Sequence, residues 1–392
     1  MPKEHRRNIL AYYAFSLLVG FYIASSTTVL FERQLGLSFA QIFTLDAVYM
    51  LMFIIFTVPA GGLADQLGRK RVLMLGALAL VVAALASGSA HTYTQLFLSY
   101  FIWSFGFSLI GGAGDAMVYD TLHDEALYQK VYGRAASLGI IGTAISSGIG
   151  PVLYEMNFRL PYLLSSLPFL LAALAIFFFR ETHSEKKHFT FGAYFAQIKD
   201  GTKLTLHNRF ILWSTAVLSI VFAVSYSFTS IYQPYLVDVG FAVSAFSFIV
   251  PAMFIIEALG GAWSEPITKW LGESASFWIN FLTVGISLLV LGVFANKAAL
   301  PALFIYGFVQ GVLKPFLSTY TNRYIESSHR ATVISVQGMF GTIVASGVLF
   351  AFGFLTDKIG VIALAQVVGA SVLILGTLLL AFRPRSPKHV QQ

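Results

Sequence analysis

Apolar runs of about 20 residues recur along almost the whole chain, and they limit its fold more than any other sequence feature. A helical run of this length matches the hydrocarbon core of a bilayer, which is about 30 Å thick. Hydrophobic residues make up 57% of the 392 residues and charged residues only 11%, whereas soluble domains carry about a quarter charged residues. A chain this apolar cannot cover itself with a polar surface, so we expect lipid to be its solvent.

The apolar runs divide into twelve predicted membrane spans, six before a polar stretch near the middle of the chain and six after it. The spans are 8–31, 39–64, 72–90, 93–119, 134–155, 160–180, 210–236, 243–264, 274–295, 299–325, 332–355 and 361–382. Each is expected to be helical, because an unpaired backbone is too costly in hydrocarbon. The predicted fold class is an all-α membrane protein with two six-helix pseudo-repeat bundles, 1–180 and 210–392, joined by a cytoplasmic linker at 181–209. The linker pattern FGAYFAQIKDGTKLTL fits either a short amphipathic helix or a solvated connection.

Lys and Arg residues concentrate in the loops on one side of the predicted helices, the side that includes both termini. The opposite loops contain only Arg33, Arg159, Lys297 and Lys358. Because short cytoplasmic loops are enriched in Lys and Arg, we expect both termini in the cytoplasm. The absence of cysteine excludes disulfides and thiol chemistry. It fits a multi-pass protein of a bacterial inner membrane.

Short segments of the first half return in the second half about 200 residues later. GGLADQLG at 61–68 is echoed by GGAWSEPITKWLG at 260–272, LGLS at 35–38 by VGFA at 239–242, and Arg134-Ala135 by Arg330-Ala331. Three echoes in order, at equivalent predicted positions, favour a parallel duplication. Such repeats place a substrate path at the interface of the two halves, near the midplane.

The segment GGLADQLGRKR lies between predicted helices 2 and 3. Gly61 and Gly62 are expected to allow a close helix approach, and Gly68 to permit a tight turn. Asp65 follows the helix, where its carboxylate can accept hydrogen bonds from the N-terminus of another helix. Arg69 begins a basic run that suits the inner membrane face.

The spacing G-x-L-A-D-x-x-G-R-K in this loop resembles motif A of the major facilitator superfamily. The length, the twelve spans, the central loop and the repeat resemble that family too, and the chain is most similar in appearance to its small bacterial drug-efflux members. The resemblance implies the fold of that family and alternating access. It implies that Asp65 faces the N-terminus of helix 11 and that Arg69 pairs with Asp120 at the end of helix 4. Arg134, which opens helix 5, is expected to join this gating network.

Two further motifs of proton antiporters in the family are matched less well. Those members carry an arginine within helix 4, whereas YFIWSFGFSLIGGAGDAMVYD has none. Their glycine-rich motif in helix 5 is matched in part by Gly142, Gly148, Gly150 and Pro151. The missing arginine in helix 4 departs from the usual antiport machinery, whereas the partial glycine-rich motif in helix 5 favours export.

Four ionisable residues lie inside predicted spans, where such groups are costly and mark functional candidates. Asp46 is predicted to lie about 12 Å deep in helix 2, either as a proton carrier or as a capped acid near Arg33. Glu257 and Lys314 lie at equal predicted depths and are expected to form an ion pair. The pair serves coupling or a static lock, or Lys314 binds an anionic substrate directly. Asp115 lies near a helix end, which favours gating or packing over coupling.

The wall of the predicted substrate path combines aromatic and small polar groups, which suit amphipathic solutes, including organic cations. The candidates are Tyr22, Ser26, Trp103, Tyr226, Gln233, Tyr306, Gln310 and Gln337, together with Lys314.

Secondary active transport, specifically proton-coupled efflux of small amphipathic compounds, is the leading functional hypothesis. Proton symport of an organic anion or other metabolite is the alternative, and a non-transporting membrane sensor is a remote one. The sequence contains no Walker A, H-E-x-x-H or G-x-S-x-G motif, so neither ATP-driven transport nor common hydrolase chemistry is supported. We expect a monomer with a small-molecule substrate, protons as coupling ion and lipid around it. We expect no nucleic acid, cofactor, metal or enzymatic activity.

Overall fold

Helices account for nearly all of the computed structural model, which describes residues 3–122, 124–179, 191–323, 325 and 327–384. The first half contains α1 (Lys3–Gly20), a 3-10 turn (Ile23–Ser26), α2 (Thr28–Gln34), α3 (Phe39–Leu67), α4 (Arg69–Gly88), α5 (Tyr93–Leu122), α6 (Glu125–Met156) and α7 (Leu160–Phe177). The remainder contains α8 (Phe191–His207), α9 (Arg209–Asp238), a 3-10 turn (Val243–Ala245), α10 (Phe246–Leu271), α11 (Glu273–Val293), a 3-10 turn (Lys297–Ala299), α12 (Leu300–Arg323) and α13 (Ser327–Ala381). No strand occurs among these residues.

Eleven helices of the described chain are long and apolar enough to cross a membrane. The last of them, Thr332–Ala381, has 50 residues, or about 75 Å at 1.5 Å per residue, which is more than twice the hydrocarbon thickness. Gly360 interrupts it with a non-helical backbone (φ 80°, ψ 167°). We therefore count α13 as two crossings separated at Gly360. The chain is an all-α membrane protein with twelve spans, as the sequence predicts.

The chain divides into two compact units. The first comprises Met1–Leu37, Leu45–Thr190 and Val243–Pro251, and the second comprises Ser38–Thr44, Phe191–Ala242 and Ala252–Gln392. Each unit thus contains most of one predicted bundle and a short segment from the other half of the sequence.

Within the first unit, α4 packs against α5 and α7, and α1 packs against α6. Glycines make the second of these contacts close, because a Cβ at Gly142 would lie 2.3 Å from the carbonyl oxygen of Leu17. Within the second unit, α11 packs against α12 and α13. Small residues therefore set the helix spacing, as expected where helices associate in lipid.

Segment 191–207 of the predicted linker forms α8, which settles the choice in favour of a helix for these residues. It packs against α13 and α9. A Cβ at Gly201 would lie 2.5 Å from Cγ2 of Thr332, so the glycine allows this contact. The predicted linker residues 181–190 lie outside the described part of the chain.

Candidate functional site

The motif-A segment forms the turn that the sequence predicts. Gly68 has a φ of 88° and is the N-cap of α4, which begins at Arg69. Asp65 and Arg69 are half-buried on either side of this turn, and Arg134 is exposed on α6. The side chains of Asp120 and Asp115 lie outside the described part of the chain. The gating network of Asp65, Arg69, Asp120 and Arg134 therefore stays a prediction.

Gly61 lies at a close approach between two helices. A Cβ added at Gly61 would meet open space. A Cβ added at Gly112, on the facing helix, would lie 3.4 Å from that of Ala60 and 3.5 Å from the backbone nitrogen of Gly61. Gly62 is buried, and its role as a contact residue stays a prediction.

The second half repeats this turn with its charges reversed. Gly272 has a φ of 78° and is the N-cap of α11, which begins at Glu273. Arg323, at the C-terminal end of α12, donates a hydrogen bond to Glu273 and forms an ion pair with it. Glu273 stands where the first half has Arg69, and Arg323 stands near the position of Asp120, about 200 residues earlier. This arrangement gives the predicted sequence echo a structural basis.

A buried acid that the sequence analysis missed lies in the first unit. Glu32 is only 1% exposed and accepts a hydrogen bond from the hydroxyl of Tyr100. Asp46 is half-buried and close enough to interact electrostatically with Glu32. We name the group formed by these acids and the tyrosines around them the acid–tyrosine cluster. Its members are Glu32, Asp46, Tyr22, Tyr49, Tyr100 and Tyr162.

Tyrosine hydroxyls and rings surround the two acids of the acid–tyrosine cluster. The rings of Tyr22 and Tyr162 lie 6.2 Å apart and those of Tyr49 and Tyr100 6.5 Å apart, both in edge-to-face arrangements. Asp46 acts electrostatically on all four tyrosines. These hydroxyls can donate to a carboxylate or pass a proton to one.

Sequence reasoning missed Glu32 because the predicted first span ended at residue 31. In the structure, α2 continues to Gln34, and the chain turns at Gly36, which has a φ of 83°. Glu32 therefore lies two residues before the end of α2 and one helical turn before Gly36. The glycine was the available signal, since a C-terminal glycine marks where a helix stops.

The predicted ion pair between Glu257 and Lys314 is present, with Lys314 Nζ 2.5 Å from Glu257 Oε1. A Cβ at Gly311 would lie 2.0 Å from the carbonyl oxygen of Glu257, and one at Gly260 would lie 2.1 Å from that of Phe308. Glycines on both helices thus bring α10 and α12 close enough for the pair. The Lys314 side chain is 55% exposed and that of Glu257 33% exposed, so the rest of the protein does not enclose the pair.

Several predicted wall residues are packed inside a unit. Ser26 is fully buried and donates to the carbonyl of Ser147 at 3.0 Å, so it does not line an open path in this structure. Trp103 is 4% exposed and donates to Ser87 Oγ at 3.0 Å. Its ring lies 4.9 Å from that of half-buried Tyr22.

Two of the predicted wall residues of the second unit, Tyr306 and Gln310, are buried and hydrogen-bonded to each other. Gln310 donates to the hydroxyl of Tyr306 at 2.9 Å and accepts from Ser225 at 3.0 Å. Gln233 is 1% exposed, and Tyr226 is half-buried. Tyr306 and Gln310 are each 3% exposed, so their amide and hydroxyl groups satisfy each other in this structure.

Two cavities in the second unit offer space for a small molecule. One of about 710 Å³ lies beside α10 and α12 and reaches the Glu273–Arg323 pair. The other, of about 330 Å³, is lined by residues of α9, α12 and α13, among them the predicted wall residue Gln337. The Gln337 amide donates to Ser214 and Thr215, at 3.2 Å each.

Comparisons with known proteins agree on one family. The chain is 23% identical over 378 residues to an uncharacterized MFS-type transporter, YxaM, of Bacillus subtilis (strain 168), covering 93% of each protein. It is 25% identical over 297 residues to the quinolone resistance protein NorA of Staphylococcus aureus (strain MSSA476), covering 74% of this chain and 73% of NorA.

Solved structures share the fold at low sequence identity. The nucleoside transporter NupG superposes with a TM-score of 0.75 at 14% identity, covering 98% of this chain and all of NupG. A D-xylose–proton symporter superposes with a TM-score of 0.74 at 14% identity, covering 98% and 99%. The sequence profile of the Major Facilitator Superfamily matches residues 9–348. The chain therefore belongs to the Major Facilitator Superfamily of membrane transporters.

Proposed function

We propose that the protein is a secondary active transporter that exports small amphipathic organic compounds in exchange for protons. The observation that carries the proposal is the burial of Glu32, which is 1% exposed, hydrogen-bonded by Tyr100 and within electrostatic range of Asp46. Among the described residues no Lys or Arg forms an ion pair with Glu32. A buried acid of this kind binds and releases a proton with a large change in local energy.

Two acids in a poorly solvated site suit the exchange of one proton. Ionising both at once is costly because like charges repel and neither is fully hydrated. Binding one proton to the pair removes this cost, and releasing the proton restores the cost. Any conformational change that alters access to the acid–tyrosine cluster therefore becomes linked to protonation, which is the requirement for coupling.

Similarity to NorA and an aromatic side chain of the first unit support the proposed direction and substrate class. NorA is named for quinolone resistance, and this chain resembles it over about three quarters of its length. The half-buried ring of Tyr22, next to Trp103 and Phe169, suits amphipathic compounds with flat apolar bodies. We extend the proposal to an inner-membrane location with both termini cytoplasmic, to a monomer, and to functional bundles at 1–180 and 210–392 joined by the linker 181–209.

Inside-out membrane vesicles with an imposed pH gradient provide the test, using ethidium and a fluorescent quinolone as probes. We expect Glu32→Gln to abolish most gradient-driven accumulation, because the amide still accepts a hydrogen bond from Tyr100 but cannot bind or release a proton. Asp46→Asn is expected to act in the same direction. Probe exchange without a gradient should persist, since that process moves no net proton.

Asp200→Asn is the matched control. Its carboxylate is exposed on α8, outside the membrane spans, so its loss should leave transport unchanged. If Glu32→Gln and Asp46→Asn both retained full gradient dependence, the coupling proposal would be wrong. A lower amount of folded protein in the membrane would identify a structural role instead.

A second candidate function, proton symport of an organic anion, is favoured by one observation. The ammonium of Lys314 is half-exposed, and the next residue, Pro315, lines the cavity of about 710 Å³. An anion could share this ammonium with Glu257 or replace the carboxylate. In intact cells, symport predicts that expression raises the accumulation of an anionic probe, whereas export predicts that it lowers the accumulation of ethidium.

A further inference from the structure

Two carboxylates bind the starts of helices that are remote from them in sequence. Asp357 accepts hydrogen bonds from the backbone N–H groups of Phe39 at 2.8 Å and Ala40 at 3.0 Å. Glu155 accepts one from the backbone N–H of Ser244 at 2.7 Å. These contacts fix the first residues of α3 and the 3-10 turn that leads into α10.

The start of α3 shows why a remote carboxylate is needed. Ser38 and Gln41 form a reciprocal capping box, in which each side chain accepts from the backbone N–H of the other residue. This box leaves the N–H groups of Phe39 and Ala40 without local partners, as at any helix start. Asp357 supplies both of its oxygens to these two groups, and its negative charge suits a helix N-terminus.

The two contacts are equivalent under the internal repeat. Ser244 follows Ala40 by about 200 residues, and Asp357 follows Glu155 by the same interval. Asp357 belongs to the same compact unit as 38–44, and Glu155 to the same compact unit as 243–251. Each carboxylate therefore attaches a short segment from one half of the sequence to a helix from the other half.

A glycine accompanies each carboxylate and lets the helices approach. A Cβ at Gly353, one turn before Asp357, would lie 2.9 Å from Cα of Ala40. A Cβ at Gly148, two turns before Glu155, would lie 3.2 Å from the carbonyl oxygen of Ser247. The two glycines are again separated by about 200 residues. Carboxylate and glycine thus form one contact that occurs twice.

We propose that Glu155 and Asp357 are paired carboxylate latches, which hold the starts of α10 and α3 in one state of the transport cycle and release them in the other. The Lys and Arg distribution places both contacts at the extracytoplasmic end. Both side chains are exposed, so water can replace the helix as their partner when the contact breaks. A contact that is strong when formed and easily rehydrated when broken suits a reversible closure.

This inference rests on the proposed transport function, but its test needs neither substrate nor gradient. Hydrogen–deuterium exchange of the purified protein in nanodiscs reports the backbone groups directly. Asp357→Asn is expected to raise exchange severalfold in 38–44, and Glu155→Gln in 243–251. Asp124→Asn is the control, because Asp124 caps the helix that directly follows it in sequence, through the N–H of Leu127 at 3.0 Å.

A cysteine reporter measures opening, since the chain has no cysteine of its own. Ser247→Cys is a conservative reporter whose side-chain oxygen is buried. We expect the double variant Glu155→Gln, Asp357→Asn to speed its labelling by a membrane-impermeant maleimide about tenfold, which corresponds to ~1.4 kcal/mol. Gly353→Leu, a wedge that leaves both carboxylates intact, should raise exchange in 38–44.

Unchanged exchange and unchanged labelling in the double variant would overturn the latch. If the double variant fails to fold, Gly353→Leu provides the test. Normal hydrogen–deuterium exchange in 38–44 of Gly353→Leu would count against the proposal. Failure of the coupling proposal leaves a different signature. In that case Glu32→Gln keeps its gradient dependence while the latch variants still change exchange and labelling.

Discussion

Glu32 and Leu236 occupy the same backbone position in the two halves of the chain, yet one is an acid and the other an apolar residue. Gly36 and Gly240 follow them by four residues and have φ values of 83° and 91°. The amide of the residue after each glycine donates to the carbonyl of Glu32 at 3.2 Å and to that of Leu236 at 2.9 Å. Both helix ends are therefore Schellman-type turns.

The comparison shows that the duplication kept the helix ends and changed the chemistry inside them. Each position is 1% exposed, but Glu32 is surrounded by the acid–tyrosine cluster. In the second unit, the buried Tyr235 next to Leu236 donates its hydroxyl to the carbonyl of Leu291 at 2.9 Å. That unit pairs Glu257 with Lys314. We infer that proton binding belongs to the first unit and that the second unit contributes paired charges and space for a ligand.

Placing an acid in the second unit should have the largest effect on stability. Leu236→Glu buries a carboxyl without the tyrosine donors that Glu32 has, and an uncompensated buried charge costs about 3–5 kcal/mol. We expect a large loss of folded protein, measured by thermal unfolding in detergent at neutral pH. Leu236→Met, which keeps the volume, is expected to cost less than about 1.5 kcal/mol. Equal melting temperatures for Leu236→Glu and Leu236→Met would show that a buried carboxyl at this position does not need tyrosine donors.

The sequence was sufficient for the parts of this comparison that depend on local patterns. Apolar length predicted the spans, and Gly36, Gly68, Gly240 and Gly272 all take positive φ values at the predicted turns or echoes. The sequence was also sufficient for the pair of Glu257 with Lys314, because equal depth in neighbouring spans leaves few alternatives.

Other features depend on tertiary burial, which residue type does not reveal. Glu32 was missed because only the fold encloses it, and a charged residue after an apolar run resembles a loop residue. Residue type alone does not place Ser26, because a small hydroxyl suits both a cavity wall and a helix contact, and here it donates to Ser147. Gly61 lies at a helix approach, but the sequence does not reveal that the facing Gly112 is the glycine whose added Cβ would meet it. Such choices are decided by neighbours from distant parts of the chain.

Glycine spacing beneath the ion pair gives a prediction of intermediate size. Gly311→Ala places a Cβ 2.0 Å from the carbonyl oxygen of Glu257, so α10 and α12 must separate. Overpacking of this kind costs about 1–3 kcal/mol. Gly61→Ala is the matched control, because a Cβ there meets open space. We expect a lower melting temperature for Gly311→Ala and little change for Gly61→Ala. Equal melting temperatures would contradict the close contact.

Exchanging the charges of the Glu257–Lys314 pair should have the smallest effect on stability and so separates packing from function. The double variant Glu257→Lys, Lys314→Glu retains an ion pair, so both charges stay compensated, whereas removing one partner of a buried pair costs about 3–5 kcal/mol. We therefore expect melting temperatures within a few degrees of the parent protein.

If this pair contacts substrate, as the symport alternative requires, transport of an anionic probe should fall strongly in the exchanged protein because the ammonium moves from α12 to α10. If the pair is only a lock, the exchange should preserve transport, while Lys314→Gln alone should impair it. Loss of ethidium export in the exchanged protein would instead show that the ion pair of the second unit takes part in the proposed efflux. That result would count against the inference that proton coupling depends on the first unit alone.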